Sequence, residues 1–470
     1  MSAPVPGTRD ADSVVQHSQE LRRELGVADL LLAQIIMIVG GTWVGTAGKL
    51  GASHLCYWLV AAGLFFAPLV AVVLFLNRWA PLEGGLYQWA KLAFGEAVGF
   101  LVAFNLWLWA VVLMASLGLE IVVGLGYVSE PVQRLGHSSV VTIGASLLVI
   151  AGVATAAMAG LRVGKRVHNV GGIVRLAAYA ILLSLPLLAI VLGRPLRPEA
   201  LRVETPAPTL LGVNILAKMG FGAFSGLEYV AIFAGESRSP ERSFARSVYL
   251  AAPIVTVMFL LGTSAVLAFV APGDIDLIAP IPQVVTLAAG GMGVARHAAT
   301  LVLVLMVLTM LAQGTAMFAG IARLPMVAGW DGLLPEWFTR LSPRSRVPTN
   351  SILFIAAVTA LLAVAGLSGV GHQEAYQLFS SAALIAYALT YVVMFAIPLV
   401  GRHTPRVSPL LRAASASGLV MTLLFIVLAV FPIVAVESRA GFGLKVAGLV
   451  VVANVLGVAL FVAGKRRGRA

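Results

Sequence analysis

The sequence predicts an all-α polytopic membrane protein of about twelve transmembrane helices. Three observations carry this prediction. The 470 residues are 60% hydrophobic and 11% charged, with a mean hydropathy of +0.97, so the chain cannot supply the charged surface a soluble domain of this size requires. Apolar stretches of roughly 20 residues recur from end to end, each long enough to cross ~30 Å of hydrocarbon as a helix. A bilayer leaves an unpaired backbone without water, which restricts spanning elements to helices or a closed barrel. The apolar runs are continuous rather than alternating, and that selects helices.

In order, the spans fall at about 27–49, 54–77, 95–127, 138–160, 166–193, 210–235, 245–271, 294–322, 350–367, 376–400, 410–434 and 443–463. A short amphipathic stretch from Gly84 to Phe94 precedes span three, and another near Pro282 to Gly290 is expected on the opposite face. The first ~26 residues are polar and mixed in charge, without the apolar core of a signal peptide. They read as a cytosolic tail whose end, Leu21 to Leu25, lies along the membrane surface. The single cysteine, Cys56, excludes an internal disulfide framework and reads as an apolar filler.

A net charge of +12 suggests nucleic acid until the charges are placed. They sit in short loops between apolar runs, and no basic domain with interleaved aromatics lies outside them. With the N-terminus inside, the inner segments hold most of the basic residues, among them Arg22, Arg78, Lys165, Arg238, Arg323, Arg340, Arg402 and the tail from Lys465 to Arg469. The outer segments hold few, such as Lys49, Arg134, Arg194 and Arg439. The positive-inside rule therefore places both termini in the cytoplasm of a bacterial inner-membrane protein.

Two spans carry glycines that a lipid-facing helix does not need. Span one reads Ile38-Val39-Gly40-Gly41-Thr42-Trp43-Val44-Gly45, and span six reads Gly220-Phe221-Gly222-Ala223-Phe224-Ser225-Gly226-Leu227-Glu228. Glycine lets the backbone leave helical geometry. Spans one and six are equivalent if the chain is two inverted five-span repeats, and a matched pair of interrupted segments points to a binding site at the membrane midplane. Close helix packing is the other reading of these glycines. The resulting division is a tail at 1–26, a first repeat at 27–200, an inverted second repeat at 201–400, and two accessory spans with a basic C-terminus at 401–470.

Four stretches resemble the amino acid–polyamine–organocation transporters, and the amino acid permeases among them. They are the Gly40-Gly41 interruption; Pro81-Leu82-Glu83-Gly84-Gly85-Leu86-Tyr87 with Phe94-Gly95 and Gly99-Phe100; Phe224-Ser225-Gly226-Leu227-Glu228 with Ala234-Gly235-Glu236 and Pro240-Glu241-Arg242; and Arg323-Leu324-Pro325, Asp331-Gly332-Leu333-Leu334-Pro335 and Val347-Pro348-Thr349-Asn350. The resemblance covers most of the chain and is weakest after residue ~400. It implies a five-plus-five inverted repeat with two further helices, unwound spans one and six, and a small-molecule substrate bearing an amine and often a carboxylate. It also implies secondary transport, as a permease or an antiporter, with no cofactor and no enzymatic step.

An unwound helix exposes N–H groups that suit a carboxylate and C=O groups that suit an ammonium. The expected carboxylate site is the backbone of Gly40, Gly41 and Thr42. The expected ammonium site is the carbonyls near Ile38 and from Phe221 through Ala223 and Phe224 to Ser225. Where many members read Gly-Ser-Gly, this chain has Thr42 in place of a glycine, followed by Trp43; the Thr42 hydroxyl joins the site or its bulk shrinks the pocket. Phe221 or Phe224 can serve as a lid over the substrate or as ordinary core. Trp43 reads as packing between helices, with occlusion of the site as the other reading, and Trp107 and Trp109 read as packing or interfacial residues.

A charge within hydrocarbon costs at least ~2.5–3.5 kcal/mol and usually has a partner or a task. Four residues qualify: Glu120, Arg175, Lys218 and Glu228. Many family members have a lysine where Arg175 stands. If the match holds, Arg175 is a fixed charge tying span five to span one, which argues against sodium binding and proton release there; the other reading has it snorkel to the interface. Glu228 carries a coupling proton, holds a cationic substrate, or bonds a neighbouring helix as a protonated carboxyl. Lys218 stands ~10 Å above the span-six break, at the depth of Glu120, so the two are expected to form a salt bridge or to share a water-filled vestibule. Glu236, Arg242, Arg323 and Asp331 form an inner gate or a set of solvated loop charges. An amino-acid carrier, a polyamine or other organic-cation carrier, and, more remotely, a channel or a non-transporting sensor stay open on these residues. The bilayer is the one expected macromolecular environment.

Overall fold

A computed structural model describes residues 16, 21, 23–127, 130–136, 138–200, 202–206, 209–289, 295–367, 372–431 and 438–467. Ten helices among them are long and apolar enough to cross a membrane. Spans two to five are Gly51–Trp79, Glu96–Gly126, Ser139–Met158 and Leu161–Val191. Spans seven to twelve are Pro240–Leu267, Ala295–Ile321, Thr349–Gly366, His372–Val400, Pro409–Ala429 and Arg439–Arg467. The expected starts and ends near 294 and 432–434 lie outside the described residues.

The two remaining spans are broken, at the glycines. Span one is Val27–Ile38 joined to Gly41–Gly48 across a bend of 44°. Span six is Leu210–Ala223, then a non-helical turn through Gly226, then a tight 3-10 segment Tyr229–Glu236. Its first half is closed by Thr209, whose hydroxyl accepts the Gly212 amide at 3.0 Å, one of the orphan donors every helix start leaves. Gly226 bridges the halves at φ +113, which favours glycine.

The broken spans are buried inside a ring formed by the others. Span ten packs along spans three and eleven, and span five along span eight. Outward faces are apolar, as Leu148, Val191, Leu361 and Val451 illustrate. In a bilayer they meet acyl chains, and no solvation penalty follows.

The two amphipathic stretches are helices, Leu86–Phe94 and Pro280–Ala289. The first is tucked into the bundle, with Leu86, Tyr87, Trp89 and Lys91 buried. The second lies at the other end, where a Cβ on Gly45 would meet Pro280 Cβ at 2.8 Å, so glycine lets the second half of span one sit against it.

The segment before span one differs from expectation. Leu21 and Leu25 are buried in protein rather than laid along a membrane surface. The amides of Glu24 and Leu25 both donate to the Glu236 carbonyl at 3.0 Å, and the Arg238 amide donates to the Leu25 carbonyl at 3.0 Å. The end of span six leaves backbone groups that no helix satisfies, and the approaching chain satisfies them.

Candidate functional site

The two breaks meet at the centre of the bundle. A Cβ on Gly226 would lie 3.3 Å from Ile38 Cγ1, and one on Gly222 would lie 2.2 Å from the Trp43 ring. Each break thus depends on glycine for the other's approach, and Trp43 packs between spans one and six. Gly41, Thr42 and Trp43 open the second half of span one, where the first amides have no intrahelical partner and no side chain caps them. The Ile38 carbonyl takes the Gly40 amide at 2.9 Å, and the Phe221 carbonyl takes the Ser225 amide at 3.0 Å. Each retains capacity for a second donor. Ala223, Phe224 and Ser225 are buried around the same break.

Arg175 does not snorkel. It is buried, donates through Nη1 to the Val39 carbonyl at 2.6 Å, and through Nη2 to Gln313 Oε1 at 3.0 Å. It therefore ties span five to the break of span one and to span eight. Tyr179, one turn on, donates to the Gly40 carbonyl at 3.3 Å. Near the start of span one, Asp29 accepts from Asn169 at 2.7 Å and pairs with Lys165 at 2.9 Å.

Glu228 is buried, and its two carboxylate oxygens accept the hydroxyls of Tyr387 and Tyr391 on span ten. Tyr391 in turn accepts the Gly226 amide at 2.8 Å. The acid is thus held by a neighbouring helix and anchored to the backbone of its own break. Trp109 stacks on Tyr387 at 4.0 Å, which fixes the ring.

Phe221 and Phe224 have no exposed surface. Phe224 stacks on Phe66 at 4.4 Å, and Phe221 stacks on Phe425 at 4.6 Å while its edge contacts Tyr391. In this conformation both belong to the aromatic core that backs the break.

The expected pair of Lys218 and Glu120 is not formed. Glu120 accepts from Ser116 at 3.1 Å, and the cationic field that reaches it is that of Arg175. Among the described residues Lys218 makes no hydrogen bond or ion pair; it lines a cleft with Thr42, Trp43, Thr46, Tyr376, Gln377 and Ser381. Similar depth was the basis for pairing them, but depth does not fix which face of a helix a side chain leaves from. Lys218 opens a wide π turn, Lys218–Ala223, that alters this direction.

This cleft opens at the end of the bundle opposite residues 26 and 467. A second cleft, lined by Asp29, Lys165, His168, Phe233 and Arg323, opens at the end that bears them. Beneath it lies a lattice of buried charges. Arg323 pairs with Glu236 at 2.5 Å and with Glu83 at 3.5 Å, and its guanidinium lies 4.7 Å from the Phe233 ring centre. Asp331 pairs with Lys91 at 2.8 Å and accepts the Tyr87 hydroxyl. The Glu83 loop touches span six directly: Glu83 accepts the Gly235 amide at 2.7 Å, and a Cβ on Gly85 would lie 2.9 Å from backbone atoms of Ala231 and Ile232. Burial pushes the Glu83 carboxyl up to about 8, the Glu236 charge adds to that, and Arg323 opposes it. Arg242 is exposed and joins no ion pair among the described residues. Of the expected set, only Glu236 and Arg323 pair with each other, with Glu83 beside them; Asp331 pairs instead with Lys91, and Arg242 stands outside both.

Sequence reasoning missed Tyr387 and Tyr391, Tyr179, Gln313, and the Asp29–Lys165–Asn169 cluster. Tyr387 and Tyr391 stand four residues apart, on one face of a helix, which is the signal that was present. Their partner lies 159 residues away from the first of them, and spacing does not reveal it.

The amino acid permease family model matches residues 25–456. An uncharacterized transporter of Legionella pneumophila is 23% identical over 416 residues, covering 87% of both chains. A branched-chain amino acid permease of Bacillus subtilis is 24% identical, covering 80% of this chain and 83% of its own. A low-affinity putrescine importer of Escherichia coli K12 is 26% identical over 62% of each.

Proposed function

The chain belongs to the amino acid permease family, and from that premise we propose that it is a secondary transporter carrying a small amino acid by alternating access. The observation that carries this reading is the meeting of two helix breaks at Ile38 and Gly226. The first-turn amides of Gly41 and Thr42 suit the substrate carboxylate, with the backbone of Gly40 ahead of them. The carbonyls of Ile38, Phe221 and Ala223 suit its ammonium. Alternating access is supported by a cleft at each end with the breaks between them. The Glu83–Arg323–Glu236 lattice serves as the inner gate, holding span six to the loops on the side of the termini. That side is the cytoplasm of a bacterial inner membrane, and the repeats at 27–200 and 201–400 rock about the fixed site.

Arg175 argues for exchange or uniport at its own position, because a guanidinium stays charged at any working pH. It occupies the Val39 carbonyl with a permanent cation, which disfavours sodium there. Glu228 is the remaining buried acid close to the break and the residue best placed to carry a proton. Phe221 abuts the two tyrosines that hold it, so any lid motion of that ring acts on Glu228.

Counterflow in proteoliposomes tests the reading. Preloading with an unlabelled L-amino acid should accelerate uptake of the labelled one, since trans-stimulation requires a carrier. Uptake that is indifferent to preloading fits a channel, and absence of flux with ligand binding fits a sensor.

A further inference from the structure

We propose that Lys218 and the polar wall around it form a carboxylate-binding subsite in the outer cleft, so that the transporter selects carboxylate-bearing cargo and excludes polyamines. The inference rests on the transporter reading above and deepens it. Lys218 is 6% exposed and has no hydrogen-bond or ion-pair partner among the described residues. A buried ammonium left without a partner is costly, and proteins usually supply a counter-charge. Here the acids near the cleft are engaged elsewhere. Glu120 accepts from Ser116, and Asp276 accepts from Tyr127 at 2.5 Å. Both act on Tyr376 in the cleft wall. Lys218 instead lines a cleft with one polar wall, formed by Thr42, Thr46, Tyr376, Gln377 and Ser381, and one apolar wall, formed by Trp43, Leu384, Phe425 and Ala429.

That arrangement is incomplete in one respect, which is the anion. A carboxylate satisfies it: one oxygen takes the ammonium, and hydroxyl or amide donors take the rest. A polyamine does not, because a second cation brought beside Lys218 is repelled in a setting of low dielectric. Glu228, which could have attracted an amine, already accepts two tyrosine hydroxyls. Thr42 belongs both to this wall and to the first turn of the broken span one. The carboxylate therefore comes from one of two places on the cargo. It is the α-carboxylate on its way to the Gly41 and Thr42 amides, or it is a side-chain carboxylate that reaches Lys218 while the α-carboxylate rests on those amides.

Calorimetric titration of the detergent-purified full chain with L-glutamate, L-glutamine, L-alanine and putrescine separates the outcomes. Lys218→Gln should weaken carboxylate-bearing ligands by roughly tenfold or more, the weight of one charge-assisted hydrogen bond, and Lys218→Arg should restore most of the loss. A loss confined to L-glutamate identifies the side-chain carboxylate, and an equal loss for all three amino acids identifies the α-carboxylate. Amino-acid binding unchanged in Lys218→Gln overturns the subsite and leaves the transporter reading intact. Tight putrescine binding with no amino-acid binding overturns both. If Lys218→Gln does not fold, the wild-type protein decides: binding that survives conversion of both carboxylates of L-glutamate to amides overturns the subsite.

Discussion

The Arg175 guanidinium donates to the Val39 carbonyl at 2.6 Å, within the two-residue gap that breaks span one. A carbonyl freed by unwinding needs a donor in a medium without water, and here the donor is a side chain from span five. Its other arm reaches Gln313 on span eight, so one cation fastens three spans at the level of the site.

Arg175→Met should destabilise the protein by about 1–3 kcal/mol, because it orphans a buried carbonyl, and thermal unfolding in detergent reads this directly. Arg175→Lys should recover part of the stability but not the fork that serves both acceptors. A buried lysine titrates readily, so counterflow by Arg175→Lys should acquire a pH dependence absent from the wild type at this position. Counterflow by the wild type should also be unchanged when sodium is replaced by choline. A sodium requirement would place a cation site at the Val39 carbonyl after all.

Glu228 and its two tyrosines form one unit, and the prediction concerns the unit. Tyr387→Phe and Tyr391→Phe should each cost about 1.5–3 kcal/mol, the range for hydrogen bonds to charged groups. The double variant should lose less than the sum, because the rings share the acceptor. Glu228→Gln should abolish uptake driven by a proton gradient while leaving counterflow measurable. Equal loss of both would make Glu228 a positioning residue for the Gly226 turn rather than a proton carrier.

Glu83 gives a pH prediction with a definite sign. Its carboxyl is pushed from 4.5 up to about 8 in the folded protein. Between those values the folded state binds the proton and the unfolded state does not, so stability falls as pH rises through that window. The unfolding midpoint of the wild type should decline from mildly acidic to mildly alkaline buffer, and Glu83→Gln should flatten that decline. Arg323→Ala should be harsher, at about 3–5 kcal/mol, since it strands the carboxylates of a buried ion pair. A steeper decline in Glu83→Gln than in the wild type would contradict the assignment.

How much of this was legible in the sequence depends on what each feature needs. The spans follow from apolar length alone, and the structure reproduces their order from Val27 to Arg467. The breaks were legible because Gly40–Gly41 and Gly226 mark backbone that leaves the helix. Arg175 was legible as a buried charge with a task, though its acceptors were not. Lys218 and Glu120 were mispaired because hydropathy reports depth in the membrane and says nothing of azimuth. The motifs around Glu83, Glu236, Arg323 and Asp331 were legible as separate stretches, but their convergence depends on tertiary folding of Leu86–Phe94 into the bundle, where Lys91 reaches Asp331.

Gly222 offers a test of whether the contact between the two breaks is required. A methyl there would lie 2.2 Å from the Trp43 ring, too close for any staggered adjustment of the ring alone. Gly222→Ala should destabilise by about 1–3 kcal/mol, the usual cost of overpacking, and should slow counterflow by separating span one from span six. Trp43→Phe combined with Gly222→Ala should recover stability, because the smaller ring gives up the volume that the methyl takes. Recovery of counterflow with it would show that the approach of the two spans matters and the indole does not. Stability regained without counterflow would assign the indole a part in closing the outer cleft that Lys218 and Thr42 line.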